Sequence, residues 1–258
     1  MKTVIISDIH VTEKVKHEAY EKLDETVSEI NSEDPDLVIV LGDMIGGQVT
    51  TGKTTDEENE GIEEIDKVRE KIEKIDAHSI YLLGNHEQDI DKKKFSEKFD
   101  QETYGLKQVK EENFIYMDSS APELSGSRGQ ISQEQLDFLD EKLEELEQAF
   151  IVIHHPIHFR DLSHSYYWDV YPERALCGNK KEINNVIEKH GNVKAVFNSH
   201  IHDLDLTKFK GLNHYTNPPF ISESREEGFN QYYTVLDVAD DVEATVIKED
   251  TEVKKFSF

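Results

Sequence analysis

Short apolar runs punctuate the first part of the chain, at residues 3–6, 37–41, 79–83 and 150–153. They are rich in branched side chains and show no polar alternate face, which predicts strands buried on both sides. Between them lie amphipathic stretches. Val15, Ala19, Leu23, Val27 and Ile30 recur every three or four residues, as do Ile62, Ile65, Val68, Ile72 and Ile75, the period of a helix with one buried face. A third helix carries Leu136, Leu139, Leu143 and Leu146. Ser132 and Gln135 have the spacing of a capping box at its start, with Ile131 placed as a hydrophobic staple. A fourth, around residues 181–190, precedes the apolar run 195–198. Further on the pattern changes. Residues 205–209, 231–238 and 243–248 look like strands with no helical period between them, which predicts antiparallel strands in a mixed sheet or a second sheet. The expectation is an α/β fold in one domain over residues 1–258. The acidic stretch 50–61 reads as a surface excursion.

Each apolar run ends in polar residues of one chemical kind. The first meets Ser7-Asp8-Ile9-His10, the second Gly42-Asp43 and the third Gly84-Asn85-His86-Glu87. Residues 150–153 give way to His154-His155-Pro156, and 195–198 to Ser199-His200-Ile201-His202. In an α/β sheet, ligands gather beyond the carboxyl ends of the strands. Five strand ends therefore bring carboxylates, an amide oxygen and imidazoles together. That mixture suits Mn²⁺, Fe or Zn²⁺, holding too much nitrogen for Mg²⁺ or Ca²⁺ and no thiolate. In Asp8-Ile9-His10 and His200-Ile201-His202 the polar residues stand two apart. On an extended backbone, both would face one side and the isoleucine the core. Asp8, His10, Asp43, Asn85, His154, His200 and His202 are too many ligands for one tetrahedral ion, so two divalent ions sharing a carboxylate are expected.

This five-part pattern resembles the calcineurin-like metallophosphoesterases, in order, from Asp8 to His202. Ser199 departs from it, standing where the family usually has glycine. The resemblance implies a four-layer α-β-β-α sandwich with two mixed sheets. It implies that Asp8, His10 and His202 hold one metal, that Asn85, His154 and His200 hold the other, and that Asp43 bridges them. It also implies hydrolysis of a phosphodiester or phosphomonoester by a metal-bridging hydroxide, with His86 as the catalytic residue that protonates the leaving oxygen or stabilises the transition state. Asp203 is a candidate carboxylate for orienting an imidazole. Mn²⁺ heads the metals, with Fe or Zn²⁺ as alternatives. A different class of function, a metal-bound scaffold without catalysis, stays open.

The loop after the fourth motif borders the expected pocket. His158, His164, Tyr166, Tyr167, Trp168, Tyr171, Arg160 and Arg174 are candidates for substrate contact or for ordinary loop packing. His155 is expected to face the opposite layer or bond to backbone. Residues 47–54, Gly-Gln-Val-Thr-Thr-Gly-Lys-Thr, match a phosphate-binding loop letter for letter. They do not leave a strand directly, as the cradle of backbone amides requires.

Charge narrows the partners. With 55 acidic residues against 29 basic, the net charge is −26. Such a surface repels nucleic acid and anionic membrane, while dications in a cleft can still reverse the local potential. A small phosphorylated substrate, possibly a nucleotide, is the partner expected. The acidity fits either a salt-rich cytosol or an ordinary acidic protein. The lone cysteine, Cys177, calls for no oxidising compartment and reads as a small packed residue. The apolar stretch before Asp8 is too short for a signal peptide. A cytoplasmic location is expected.

Overall fold

The computed structural model describes residues 1–12, 15–46, 55–121, 123–124, 126–220, 230–239 and 241–258, without the side chains of 55–60 and 166. The phosphate-loop match at 47–54 lies outside the described residues. The amino-terminal half contains β1 (Lys2–Ile6), α1 (Lys16–Ser32), β2 (Leu37–Val40), α2 (Thr55–Ile72), β3 (His78–Tyr81) and α3 (Lys92–Phe99). It continues through β4 (Gly105–Val109), β5 (Glu112–Met117), α4 (Gln133–Glu145) and β6 (Ala149–Ile153). Then come α5 (Tyr166–Val170), α6 (Pro172–Ala175), α7 (Lys180–His190), β7 (Val193–Asn198), β8 (Asp205–Phe209) and β9 (Leu212–Thr216). The chain closes with β10 (Tyr232–Val238), β11 (Val242–Lys248) and β12 (Thr251–Ser257).

Two mixed six-stranded sheets result. One has the order β12-β11-β10-β1-β2-β3, the other β4-β5-β6-β7-β9-β8. β1, β2 and β3 pair in parallel, while β10, β11 and β12 add antiparallel strands beyond β1. This is the antiparallel turn expected after the last motif. The sheets face each other across a core in which Ile5, Ile39 and Ile80 of one meet Phe114, Phe150 and Phe197 of the other. The outer face of the first sheet packs on α1 and α2, with Val4 and Val38 against Leu23, Ile30 and Val68. The outer face of the second packs on α4 and α7, with Ile115 and Ile151 against Leu139 and Ile187. These are the four layers of an α-β-β-α sandwich. The central strands are apolar on both faces because each face has a partner layer. Among the described residues, no helix is long and apolar enough to cross a membrane.

Several local readings change. Residues 55–61, expected in a surface excursion, open α2. Ser132 does cap α4, its hydroxyl accepting from Gln135 N at 3.3 Å. The reciprocal half of the capping box is absent: Gln135 Oε1 accepts from Asp118 N at 2.9 Å and its Nε2 donates to Asp118 O at 2.8 Å. The side chain thus fastens the helix to the end of β5. Short strands β4, β5, β9 and β12 and helices α3, α5 and α6 carry too weak a period to be read from the sequence.

Asn217 joins the two sheets at the end that carries the polar motifs. Its Nδ2 donates to Ser7 Oγ at 2.8 Å, beside β1, and its Oδ1 accepts from Thr234 Oγ1 on β10 at 2.8 Å. Thr234 Oγ1 also meets Tyr215 Oη of β9 at 2.7 Å. All four residues are fully buried. Replacing Asn217 with alanine removes both bonds that join Ser7 to Thr234, leaving those hydroxyls only Pro218 O and Tyr215 Oη, and a loss of about 2 kcal/mol is expected. Urea unfolding checks it; a change within error would remove Asn217 as the tie between sheets.

Candidate metal centre

The polar residues after the strands meet in one place, and most of them share an unusual backbone. Asp8, His10, Asp43, His200 and His202 have φ of 51°, 50°, 51°, 71° and 53°. A non-glycine residue there costs about 1–2 kcal/mol, and such outliers persist only where the surroundings over-determine them. The two-residue spacing of Asp8 and His10, and of His200 and His202, therefore does not come from an extended strand, as the sequence suggested. β1 and β7 end before the motifs begin, and left-handed residues flank each isoleucine. The isoleucines still turn inward: Ile9 joins the core beneath the first sheet, and Ile201 a small cluster with Leu176.

Close backbone packing makes this possible. Asp8 N donates to Gly42 O at 3.1 Å and His10 N to Asp43 O at 3.0 Å. Gly42, at φ 96°, is so close to the next motif that a Cβ would stand 2.8 Å from both Gly84 N and His154 Nδ1. At Gly84 a Cβ would come within 2.1 Å of Asp43 Oδ1. Both positions require glycine. Glu87 is the buried anchor of the group. Its Oε2 accepts from Asp43 N at 2.9 Å and Gly84 N at 2.8 Å, and its Oε1 from Ile45 N at 3.0 Å. Burial, with Asp43 nearby, pushes the Glu87 carboxyl up to about 7. Glu87 belongs to a quoted motif, yet its role as a clasp for two loops was not legible in it.

Four sets of buried or half-buried donors lie close enough to share an ion: Asp8, His10 and His202; His10, Asp43 and His86; Asp8, Asp43 and His154; and His154, His155 and His200. Asp43 Oδ1 is fixed by His86 N at 2.9 Å. Its Oδ2 faces inward, 3.3 Å from His154 Nε2 and 3.8 Å from His10 Nε2. Asn85 Oδ1 lies 3.3 Å from His154 Nε2. His154 turns its Nδ1 to Leu41 O at 2.6 Å, and His200 turns its Nε2 to Arg174 O at 2.9 Å. Each imidazole thereby presents its other nitrogen to the centre, as outer carbonyls do for ligating histidines. Ser199 fits this frame, with its hydroxyl 3.1 Å from His154 Nδ1 and bonded to Leu41 O at 3.2 Å.

Electrostatics supply the fit test for metal. Asp8 and Asp43 are both buried. Burial pushes both carboxyls up, but the surrounding imidazoles hold them below the ordinary range, His202 and His154 at Asp8 and His154 and His86 at Asp43. Both Asp8 oxygens and His200 Nδ1 are buried without a hydrogen bond, a costly state for a carboxylate unless a cation faces it. His10 Nε2 and His202 Nε2 converge to 2.8 Å. Burial and His202 press His10 down to about 3, and burial with His155 holds His200 well below its usual value, so both rings are neutral donors. Burial opposes a charge on His154, yet Asp43 and Asp8 carry it up to about 9. A buried carboxylate that accepts no hydrogen bond, with the His202 imidazole 3.6 Å from Asp8 Oδ1, together with converging neutral nitrogens, fits divalent cations.

A cavity of about 610 Å³ opens over the cluster, walled by His10, Asn85, His86, Tyr167, Trp168 and Arg174 among others. His86 meets His10 edge-on, with ring centroids 4.7 Å apart. His164 and Asp203 also border the cavity, but His158 does not. His158 is buried against His214, with ring centroids 4.7 Å apart, which favours packing over substrate contact, the two alternatives for it. Asp203 accepts from Arg160 Nη2 at 2.6 Å and pairs with His164 Nε2 at 3.1 Å. The imidazole it orients is therefore His164, outside the candidate ligands. His155 engages Ser119 Oγ at 2.8 Å and Ser127 O at 3.2 Å, in line with bonding to backbone. Cys177 is buried and packed beneath α7.

A four-layer sandwich with carboxylates, an amide and imidazoles gathered at its strand ends defines the architecture of a metal-dependent phosphoesterase. The chain matches the calcineurin-like phosphoesterase family over residues 1–204 and belongs to it. Solved structures share the fold at low identity. A dimetal phosphatase from Danio rerio has a TM-score of 0.73 at 14% identity, covering 100% of this chain and 98% of that one. GAP50 of Plasmodium, described as the anchor in the inner membrane complex, has a TM-score of 0.57 at 9% identity, covering 99% and 87%. TT1561 of Thermus thermophilus has a TM-score of 0.57 at 11% identity, covering 92% and 93%. No curated protein sequence matches the chain.

Chelator-stripped protein titrated with Mn²⁺ is expected to take up two ions per chain, and saturation at about 100 Kd should add about 2.7 kcal/mol of stability for each ion. Asp8→Asn should lower the stoichiometry. Calorimetry with elemental analysis reads both, and an unchanged count in the variant would remove Asp8 from the ligands.

Proposed function

We propose that the protein is a dinuclear-metal phosphoesterase hydrolysing a phosphodiester or phosphomonoester of a small molecule. Asp8, His10 and His202 hold one divalent ion, Asn85, His154 and His200 hold the other, and Asp43 lies between them. The observation that carries this reading is Asp43: one oxygen is fixed by a backbone amide while the other faces imidazoles from two different strand ends. The nitrogen-rich donor set favours Mn²⁺, with Fe or Zn²⁺ as alternatives.

Two such ions, when bound, supply Lewis acidity toward phosphoryl oxygens and an activated water. The remaining work falls to the chain. Asp43 keeps its geometry because the Glu87 carboxylate holds the Asp43 and Gly84 amides. Asn85 offers an amide oxygen without charge. His86, on the cavity wall beside His10, holds the proton for the leaving-group oxygen; general acids of this kind contribute about 10²–10⁴ in rate. A cavity of about 610 Å³ accommodates a ligand of mononucleotide size. The acidic surface turns away polyanions, which favours a small phosphorylated substrate over a nucleic acid strand. One cysteine, and that one buried, needs no oxidising compartment, which supports a cytoplasmic enzyme.

The alternative is a metal-bound scaffold; GAP50, described as an anchor, shares this fold. The full donor set together with His86 favours the enzyme. Hydrolysis of bis-p-nitrophenyl phosphate by Mn²⁺-reloaded protein separates the two. Turnover should require metal, and His86→Ala should lower kcat about 10²-fold or more while the metal content stays at the wild-type value. Stoichiometric metal with no turnover would favour the scaffold.

A further inference from the structure

The cavity wall holds one side chain whose charge the proposed chemistry does not use. Among the described residues that border the cavity, Arg174 is the lone lysine or arginine. Its neighbour Arg160 is committed elsewhere, pairing with Asp203 at 2.6 Å and Asp205 at 3.6 Å. Among the described residues, the acidic partner of Arg174 is Glu173, whose Oε1 is 3.8 Å from its Nε and is shared with Arg128 at 3.6 Å. The Arg174 Nε is buried without a hydrogen bond.

This guanidinium is held in place. Its Cζ lies 4.6 Å from the centre of the Tyr171 ring, and its Nη1 is 3.4 Å from Tyr167 Oη. Gly126 lies alongside; a Cβ there would meet the Arg174 Cζ at 3.3 Å. The backbone is fixed as well. Arg174 O accepts from His200 Nε2 at 2.9 Å, Trp168 packs on the His200 ring at 4.8 Å, and Trp168 Nε1 donates to Ile201 O at 3.2 Å. Segment 166–175 is therefore fastened to the motif that supplies His200 and His202. The Arg174 backbone meets the Nε2 side of His200, while the unpartnered Nδ1 faces the other way. The Arg174 side chain lines the same cavity as the candidate ligands His10, Asn85, His200 and His202.

Resting on the phosphoesterase reading, we propose that Arg174 determines specificity by binding a second oxyanion of the substrate, carried beyond the scissile phosphate. A preorganised guanidinium recognises phosphoryl and carboxylate groups through paired donors. On a chain of net charge −26, a fixed cation at the cavity rim selects anionic-tailed esters over neutral ones. The substrate class is a small phosphate ester with a neighbouring phosphoryl or carboxylate group.

The test compares three probes on Mn²⁺-loaded wild type, Arg174→Ala and Arg174→Lys. Bis-p-nitrophenyl phosphate has no second anion, UDP-glucose carries a second phosphoryl group, and O-phosphoserine carries a carboxylate. In Arg174→Ala, kcat/KM for one anionic-tailed probe should fall about tenfold further than for bis-p-nitrophenyl phosphate, mainly through KM. Arg174→Lys should recover part of the difference, and metal content should not change. The probe that responds identifies the oxyanion. An equal fall on all three probes, or none, would overturn the assignment. If wild type turns over none of them, the phosphoesterase reading fails, and calorimetric Kd values for UDP-glucose and O-phosphoserine then decide Arg174 by the same comparison.

Discussion

Two buried carboxylates set the terms for the rest of this molecule. Asp8 and Asp43 sit at zero and 1% exposure, and the groups around them are chiefly imidazoles. Water cannot solvate them, and desolvating a carboxylate costs several kcal/mol unless an opposite charge compensates. His154, carried up to about 9, supplies one positive charge in the bare protein, but His10 and His200 are neutral. Both oxygens of Asp8 remain without hydrogen bonds. The arrangement is consistent with a fold that carries local cost at this point and recovers it on binding divalent cations.

The backbone tells the same story. Five candidate ligands occupy left-handed conformations, each unfavourable for a side-chain-bearing residue. They are held by close contact between loops: Gly42 against Gly84 and His154, and Glu87 across three backbone amides. Behind them lie strands apolar on both faces and the polar tie through Asn217. A rigid sandwich can keep strained loops in register where a flexible scaffold would let them relax. The same rigidity extends outward through His200 and Trp168 to the wall that carries Arg174, so the cavity wall and the candidate ligands are mechanically linked.

Much of this was legible in the sequence, for identifiable reasons. β1, β2 and β6 are buried almost throughout, and β3 and β7 toward their carboxyl ends, so their apolar runs stand out. β12 was not legible, because it is an edge strand with Thr251, Glu252, Val253, Lys254 and Lys255 exposed; charge there discourages edge pairing and hides the strand. The turn into it uses Glu249 and Asp250, both at positive φ, in place of the Asn-Gly signal that marks such turns. The seven candidate ligands could be read because they cluster at strand ends in family order. The left-handed backbone of five of them could not, since Asp-x-His is equally compatible with an extended strand. Contacts such as Gln135 to Asp118, Glu87 to Asp43 and His200 to Arg174 join residues whose meeting only the tertiary fold decides.

In the proposed arrangement the buried carboxylates and imidazoles form one two-cation site. Anomalous diffraction from crystals soaked in Mn²⁺ tests it most directly. Two peaks should flank Asp43 Oδ2, about 3.5–4 Å apart, one among Asp8, His10 and His202 and the other among Asn85, His154 and His200. A single peak, or peaks only among exposed acidic side chains, would contradict the account.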